Sequence, residues 1–333
     1  MGINLGGVGL DSTVFLAPMS GITDQPFRRL VKRFRGPDGA APIVVSEMIA
    51  SREMVAEASR SIRASTNCAD EYPMAIQLAG HDPEIMADAA RIAVDRGAAF
   101  VDINFGCPAK NVVNKQAGSA LMAEESLAAK IVSAVVKAIS VPVTVKMRLG
   151  WDKKHRNAPE FARMSQECGA QMAFVHGRTR CQKFKGTADW DDIARVKQAV
   201  SIPLIANGDI ISLEDAKACL AANGADGVMV GRGARGKPWF LAQIMAALSG
   251  RPIPEEPNLN TRIDMILEHY DAILTYYGKD LGVRNARKHI AWATTGIPGG
   301  AAFRQAAQRE TDPAKVKQMI TALGQGIFME EAA

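Results

Sequence analysis

One pattern recurs eight times in the first 250 residues and leaves few folds open: a short apolar run, a polar or glycine-rich turn, then a helical stretch. The runs fall at residues 14–18, 43–46, 74–78, 100–104, 143–147, 172–175, 203–206 and 227–230. Each is close to continuous in apolar residues. That is the pattern of parallel strands covered by helices, not the alternation of a half-solvated antiparallel strand. Helix grammar fills the intervals. Asp82-Pro83-Glu84 offers an N-cap and a proline at the first helical position, and Ser212-Leu213-Glu214-Asp215 has the form of a capping box. Residues 126–139 carry an apolar stripe that stops ahead of Pro142. Eight such units predict an α/β fold, a (β/α)8 TIM barrel, which typically needs about 250 residues. An open doubly wound sheet is the alternative, and eight strands would be long for one.

The pattern then stops. Gly250-Arg-Pro-Ile-Pro-Glu-Glu-Pro257 is dense in proline and charge and reads as a linker. No strand signal follows; helical patterns lie near 262–277, 283–294, 301–309 and 313–328. The expected organisation is a barrel over 1–250, a linker over 251–259 and a small all-α domain over 260–333. With 333 residues, 47% of them hydrophobic, the chain can bury both cores.

The five cysteines are odd in number, widely spaced and form no C-x-x-C, so neither a disulfide framework nor a metal site is expected. Cys68 is one of them. The first residues lack a basic stretch followed by an apolar one, and no apolar run reaches membrane-spanning length; a cytoplasmic protein without membrane contact is expected. A net charge of +5 permits a polyanionic partner without requiring one.

A barrel carries its chemistry on the loops that follow its strands. Reading off those positions gives Pro18-Met19-Ser20, Ser46-Glu47-Met48, Gln77, Asn104-Phe105-Gly106-Cys107-Pro108, Lys146-Met147-Arg148, His176-Gly177-Arg178, Asn207-Gly208-Asp209 and Gly231-Arg232-Gly233. Core packing does not call for a polar group at the end of nearly every strand; a shared site does. The last two loops are glycine-rich, so backbone N–H groups can approach a phosphate, and a helix N-terminus after the eighth strand would add a favourable dipole. Residues 231–236 also fit G-x-G-x-x-G, but no strand-end acid follows about 20 residues later, and a dinucleotide fold is set aside.

Several of these segments resemble the tRNA-dihydrouridine synthase family, in particular its B-type bacterial subfamily. They are Leu16-Ala-Pro-Met-Ser-Gly-Ile-Thr-Asp24, Asn104-Phe-Gly-Cys-Pro-Ala-Lys110, Ala117-Gly-Ser-Ala-Leu121, His176-Gly-Arg-Thr179, Asn207-Gly-Asp209, Gly231-Arg232 and, in the tail, Arg284-Asn-Ala-Arg-Lys-His289. The resemblance runs nearly end to end. It implies an FMN-dependent barrel with a helical tRNA-binding domain and NADPH as reductant, acting on D-loop uridines. It assigns FMN contacts to Pro18, Met19, Ser20, Gln77, Lys146, His176, Asn207, Gly208, Asp209, Gly231 and Arg232. Cys107 becomes the catalytic acid, with Asn104, Lys110 and Arg178 on the substrate side. Two departures stand out: Ser20 occupies a position where alanine is common, and residues 33–42 form a longer stretch before the second strand.

The chemistry suits those residues. The uracil C5=C6 bond is conjugated to the C4 carbonyl, so hydride adds at C6 and C5 then takes a proton. Flavin carries the hydride, and an ordinary cysteine, with a pKa of about 8.5, is a thiol near neutral pH and can donate. Lys146 ends a valine-rich strand, where a buried ammonium needs a partner: an anionic flavin, or a salt bridge to a carboxylate such as Glu47. His176 alone would read as a core histidine; in His-Gly-Arg-Thr at a strand end it reads as a flavin or phosphate contact. Cys181, in a basic loop, is a bystander.

Positive residues crowd the same loops: Lys110, Lys115, Arg148, Lys153, Lys154, Arg156, Arg178, Arg180, Lys183, Lys185, Arg232, Arg235 and Lys237. Arg284, Arg287 and Lys288 share one helix face at i, i+3 and i+4 and suggest a second RNA contact. The protein is expected to be a monomer. Two other readings stay open: an FMN barrel acting on a free pyrimidine, like dihydroorotate dehydrogenases, and a non-catalytic RNA-binding protein on the same fold.

Overall fold

The computed structural model describes residues 2–66 and 71–328, so Cys68 and the last five residues lie outside it. Eight parallel strands close into a barrel: β1 Val14–Leu16, β2 Ile43–Val45, β3 Met74–Ala79, β4 Phe100–Phe105, β5 Val143–Arg148, β6 Met172–His176, β7 Leu204–Asn207 and β8 Gly227–Val230. Each pairs with the next, and β8 closes on β1 through Val228, Met229 and Val230 opposite Val14, Phe15 and Leu16. The eight runs read from the sequence are these eight strands, with ends moved by one or two residues.

The runs alternate inside the barrel more than their composition suggests. Val101, Ile103 and Phe105 of β4 face outward into the layer of helices, with Val143, Val145 and Met147 of β5. Phe100, Asp102 and Asn104 are the intervening residues, which by the two-residue period of a strand point inward. The inner column is apolar low in the barrel and polar high. Phe15, Phe100, Phe174, Ile205 and Met229 fill the lower part, with Phe15 and Phe174 edge to face at 5.1 Å. An antiparallel hairpin, Ile3–Leu5 with Val8–Leu10, adds Ile3, Leu5 and Leu10 to that cluster and plugs the barrel from below. The end where the strands finish is left open.

Around the strands run α1 Gln25–Arg33, α2 Pro83–Asp95, α3 Glu125–Ala138, α4 Ala158–Glu167, α5 Trp190–Ala199, α6 Leu213–Asn223 and α7 Phe240–Leu248. The caps read from sequence form: Asp82 accepts from the N–H groups of Glu84 and Ile85, and Ser212 with Asp215 makes a reciprocal capping box. After β2 the chain makes two short helices, Ser51–Val55 and Ser59–Ser65.

Beyond the proline-rich stretch come α8 Leu259–Tyr277, α9 Lys279–Ala293, α10 Gly300–Ala307 and α11 Pro313–Gly324. They have an apolar cluster of their own, built on Ile263, Ile266, Tyr270, Ile273, Val283, Ile290, Phe303, Val316 and Ile320. This region docks on α1. Phe27 packs against the rings of His269 and His289, and Leu30 joins Trp239 and Met265. Tyr277 donates to Asp24 over 3.0 Å, and Arg33 pairs with Glu268.

His269 and His289 lie 4.9 Å apart between ring centroids, and the Nε2 of each is buried without a hydrogen-bond partner among the described residues. Burial pushes the His269 pKa down from 6.5 to about 4. Burial, with the charges of His269 and Lys288, pushes that of His289 well below its ordinary value. Folding therefore favours neutral rings. Their contribution is complete above pH 6.5 and is lost as pH falls toward the folded values. A His269→Gln variant should accordingly gain about 2 kcal/mol relative to the parent on going from about pH 7.5 to 5, measured by urea unfolding at both values. An identical difference at the two pH values would contradict this.

No helix among the described residues is long and apolar enough to cross a membrane.

Candidate active site

The open end of the barrel holds a cavity of about 780 Å³. Its floor is the polar half of the inner column: Gln77, Asn104, Lys146, His176 and Asn207. Its walls come from the strand-end loops, including Pro18, Met19, Ser20, Cys107, Gly208, Asp209, Gly231 and Arg232. Of the strand-end residues assigned to FMN or uracil, all but Arg178 line it; Arg284, Arg287 and Lys288 of the tail do not.

The β1 loop is folded by its own side chains. Thr23 Oγ1 accepts from Met19 N–H over 2.8 Å, and Met19 carbonyl oxygen accepts from Ile22 and Thr23 at 2.9 and 3.0 Å. Glu47 accepts from the Gly21 N–H, and Asp24 caps α1 by accepting from Phe27 over 3.1 Å. Burial raises the Asp24 pKa to about 6, with Glu47 adding to the rise and the bonds from Phe27 and Tyr277 opposing it.

The β4 loop is pinned from three sides. Asn104 Oδ1 accepts from Gly106 and Cys107 N–H over 3.0 and 2.8 Å. Ser119 donates to the Cys107 carbonyl from both backbone and hydroxyl, at 3.1 and 2.8 Å. Arg148 Nε donates to the Gly106 carbonyl over 2.6 Å. Gly118 sits at φ +62, and a Cβ there would fall 2.9 Å from the Cys107 carbonyl oxygen, which accounts for the glycine of Ala117-Gly-Ser. Cys107 is half-buried and lines the cavity.

Lys146 Nζ donates to Asn207 Oδ1 over 3.2 Å, and Asn207 is itself held by donating to the Met229 carbonyl over 2.7 Å. The salt bridge to Glu47 considered from the sequence is not made; Glu47 is engaged by the β1 loop. Burial and the nearby Arg148 charge push the Lys146 pKa down to about 8, against the pull of Asp102 and Cys107. A buried cation with a neutral amide for company is poised for an anionic or electron-rich ligand. His176 is pushed toward its neutral form: burial, then the charges of Arg148, Lys146, Arg178 and Arg232, hold its pKa well below the ordinary value.

Arg178 is the exception. It is 2% exposed and does not line the cavity. Its guanidinium donates to Asp209 over 2.6 Å and to the carbonyls of Lys185 and Gly186, so it braces the loop after β6. Burial works against ionised Asp209, yet bonds from Arg178 and the Ala188 N–H, with the charges of Arg178 and Arg232, hold its carboxyl below the usual carboxylate range. Arg148, equally buried, does line the cavity, near Cys107, with Nη1 held by the Thr179 and Lys183 carbonyls at 3.1 and 2.8 Å.

The basic face is also thinner than its composition. Arg148 and Arg178 are buried, and Arg156 pairs with Asp189 and Asp192 at 2.8 and 3.2 Å. Lys110, Lys183 and Arg232 remain exposed on the cavity wall, beside the half-buried Arg235. After β8 the structure has a single 3-10 turn, Arg232–Ala234, and the full helix starts only at Phe240. A helix dipole at that loop is correspondingly small. Gly233 answers to packing: a Cβ there would meet the Ile210 carbonyl oxygen at 2.4 Å. In the tail, Arg284 is exposed, Arg287 is half-buried and donates to the Glu310 carbonyl over 3.2 Å, and Lys288 reaches the Gly21 loop.

Phe184, Ile210 and Ile211 line the cavity without having been singled out in the sequence. Phe184, 59% exposed, stands at the rim with the Arg148 and Arg232 guanidinium carbons 5.6 and 5.9 Å from its ring centre. An aromatic residue between Lys183 and Lys185 in an exposed loop was the available signal.

Residues 15–327 match the family model for dihydrouridine synthase (Dus). A relative in Rickettsia bellii named probable tRNA-dihydrouridine synthase is 51% identical over 319 residues, 96% of each chain. One in Pasteurella multocida named tRNA-dihydrouridine synthase B is 43% identical over 326 residues, 98% of this chain and 96% of its own. Among solved structures, an old yellow enzyme homologue from Zymomonas mobilis superposes with a TM-score of 0.53 at 13% identity, covering 76% of this chain and 93% of that one; it shares the barrel fold. A match over nearly the whole length, on a barrel whose cavity gathers the family's motifs, places this chain in the dihydrouridine synthase family.

Proposed function

We propose that the protein is a cytoplasmic, FMN-dependent tRNA-dihydrouridine synthase that reduces D-loop uridines with NADPH as reductant. The observation that carries the reading is Cys107 on the wall of a cavity whose floor holds Lys146, His176 and Asn207. A volume of about 780 Å³ falls in the range of about 300–1,000 Å³ usual for cofactor and ligand sites. The donor set fits the cofactor. Lys146 makes no salt bridge among the described residues and suits an electron-rich ring, while Gly208, Gly231 and Arg232 suit a phosphate.

When bound, FMN supplies the hydride that adds to uracil C6. Cys107 gives its thiol proton to C5 and recovers one from solvent between turnovers. Asn104 holds the Cys107 loop with its oxygen and keeps one N–H for a ring carbonyl. Arg148 secures the same loop through the Gly106 carbonyl. Phe184 offers a face for an unstacked base at the rim, where Lys110, Lys183, Arg232 and Arg235 meet phosphates. Arg284 and Lys288 extend that track onto the helical region, which we take as a tRNA-binding domain; Arg287 serves its internal packing as well.

The test uses purified, flavin-loaded protein, NADPH and an unmodified tRNA transcript under anaerobic conditions, with dihydrouridine read by mass spectrometry. Dihydrouridine in the D-loop is expected. Turnover of free uracil or orotate with none on tRNA would overturn the reading.

A further inference from the structure

A row of polar side chains crosses the barrel on three neighbouring strands, at and just beneath the cavity floor. Thr144 Oγ1 donates to Asp102 Oδ1 over 2.6 Å, Gln77 Nε2 donates to Asp102 Oδ2 over 2.7 Å, and Asn104 Nδ2 donates to Gln77 Oε1 over 2.8 Å. The row ends on the backbone N–H groups of Gly106 and Cys107, both donating to Asn104 Oδ1. Every member is buried, and Asp102 does not line the cavity, whereas Gln77 and Asn104 do. A backbone N–H can only donate and a carboxylate can only accept, so the two amides between them have one consistent orientation. Asn104 then has its oxygen fully engaged. What each amide keeps for the cavity is an N–H.

We propose that Asp102 is a positioning residue: by anchoring Gln77 it holds the Asn104 amide, and through it the Cys107 loop, with the free Asn104 N–H directed at a carbonyl of the bound pyrimidine. This deepens, and rests on, the reading of Cys107 as proton donor to uracil. Ionisation of Asp102 is not the switch. Burial raises its pKa to about 7, against the bonds from Gln77 and Thr144 and the charge of Lys146. When protonated it can donate to Thr144 with one oxygen and still accept from Gln77 with the other.

The test compares Asp102→Ala, Asp102→Asn and Thr144→Val as flavin-loaded proteins. The first readout is alkylation of Cys107 by iodoacetamide, followed on its own peptide by mass spectrometry. The second is the split between kcat and KM on tRNA. Asp102→Ala should alkylate at Cys107 several-fold faster and lose about tenfold in kcat with KM unchanged, the scale of one misplaced hydrogen bond. Asp102→Asn should restore both, because its Oδ1 can accept from Gln77 while its amide turns to the Thr144 hydroxyl. Thr144→Val should resemble the parent, since it spares the Gln77 bond. Should Asp102→Ala not fold, Asp102→Ser, too short to reach Gln77, carries the same expectation. Parental alkylation and kcat in Asp102→Ala, or the full defect in Asp102→Asn or Thr144→Val, would overturn the proposal. A parent protein that makes no dihydrouridine would overturn the proposed function instead. The alkylation comparison needs no turnover and would still decide for or against Asp102.

Discussion

Cys107→Ala is expected to lower the rate of uridine reduction about 10²- to 10⁴-fold while the protein keeps its flavin, because on the proposed mechanism it removes the general acid and little else. The loop around the thiol is held by backbone and by Asn104, Ser119 and Arg148, none of which bonds to the sulfur. Alanine should therefore leave the cavity intact. Flavin content and tRNA affinity should stay near the parent values, and the loss should fall on kcat. Cys107→Ser should recover little, since a hydroxyl is a far weaker acid than a thiol. Stopped-flow oxidation of the reduced flavin by tRNA checks the point directly. A Cys107→Ala protein as fast as the parent would assign the proton to another group.

The second large effect is on stability. Arg28 and Glu71 form an ion pair with both side chains 0% exposed, at 2.7 Å through Nε. Arg28 also donates to the Thr23 carbonyl over 3.0 Å, and Lys32 donates to the carbonyls of Glu71 and Tyr72 at 2.7 and 3.1 Å. Removing one member strands the other charge in a dry interior. Arg28→Met should therefore cost about 3–5 kcal/mol of unfolding free energy in urea. That is a large part of the roughly 5–15 kcal/mol available to a typical domain. Since Thr23 also closes the loop that presents Met19 and Ser20, flavin retention should weaken with it. The double variant Arg28→Met/Glu71→Leu should recover most of the loss, because an apolar pair no longer needs solvation. A cost below about 1 kcal/mol for Arg28→Met would mean that water reaches the pair.

The barrel was legible because its signal is repeated and local. A covered parallel strand needs apolar residues on its outer face at every turn of the fold, and Val143, Val145 and Met147 show it without knowledge of their neighbours. Strand ends moved where chemistry and pattern disagree. Pro18 is apolar but has no N–H for a ladder, and His176 is polar yet completes β6 because it faces inward. The cavity residues were legible for the same reason, standing at strand ends. What escaped depends on partners distant in sequence. Arg178 stands at a strand end like the lining residues, but it is bonded to Asp209, 31 residues away, and does not line the cavity. Asp189 and Asp192 neutralise Arg156 from another segment, so the positive face looks fuller as a list of residues than as a surface. Asp102 was hidden inside an apolar run; only the closed barrel sets it between Gln77 and Thr144.

The central claim is that the Cys107 thiol delivers a proton to a tRNA uracil reduced in this cavity. Its most direct test is a mass-spectrometric map of dihydrouridine in tRNA from cells lacking the gene, complemented with either the parent or Cys107→Ala at equal protein level. The account predicts that a defined D-loop position loses dihydrouridine on deletion, regains it with the parent and stays uridine with the variant. Full modification in the deletion strain, or full restoration by Cys107→Ala, would contradict it.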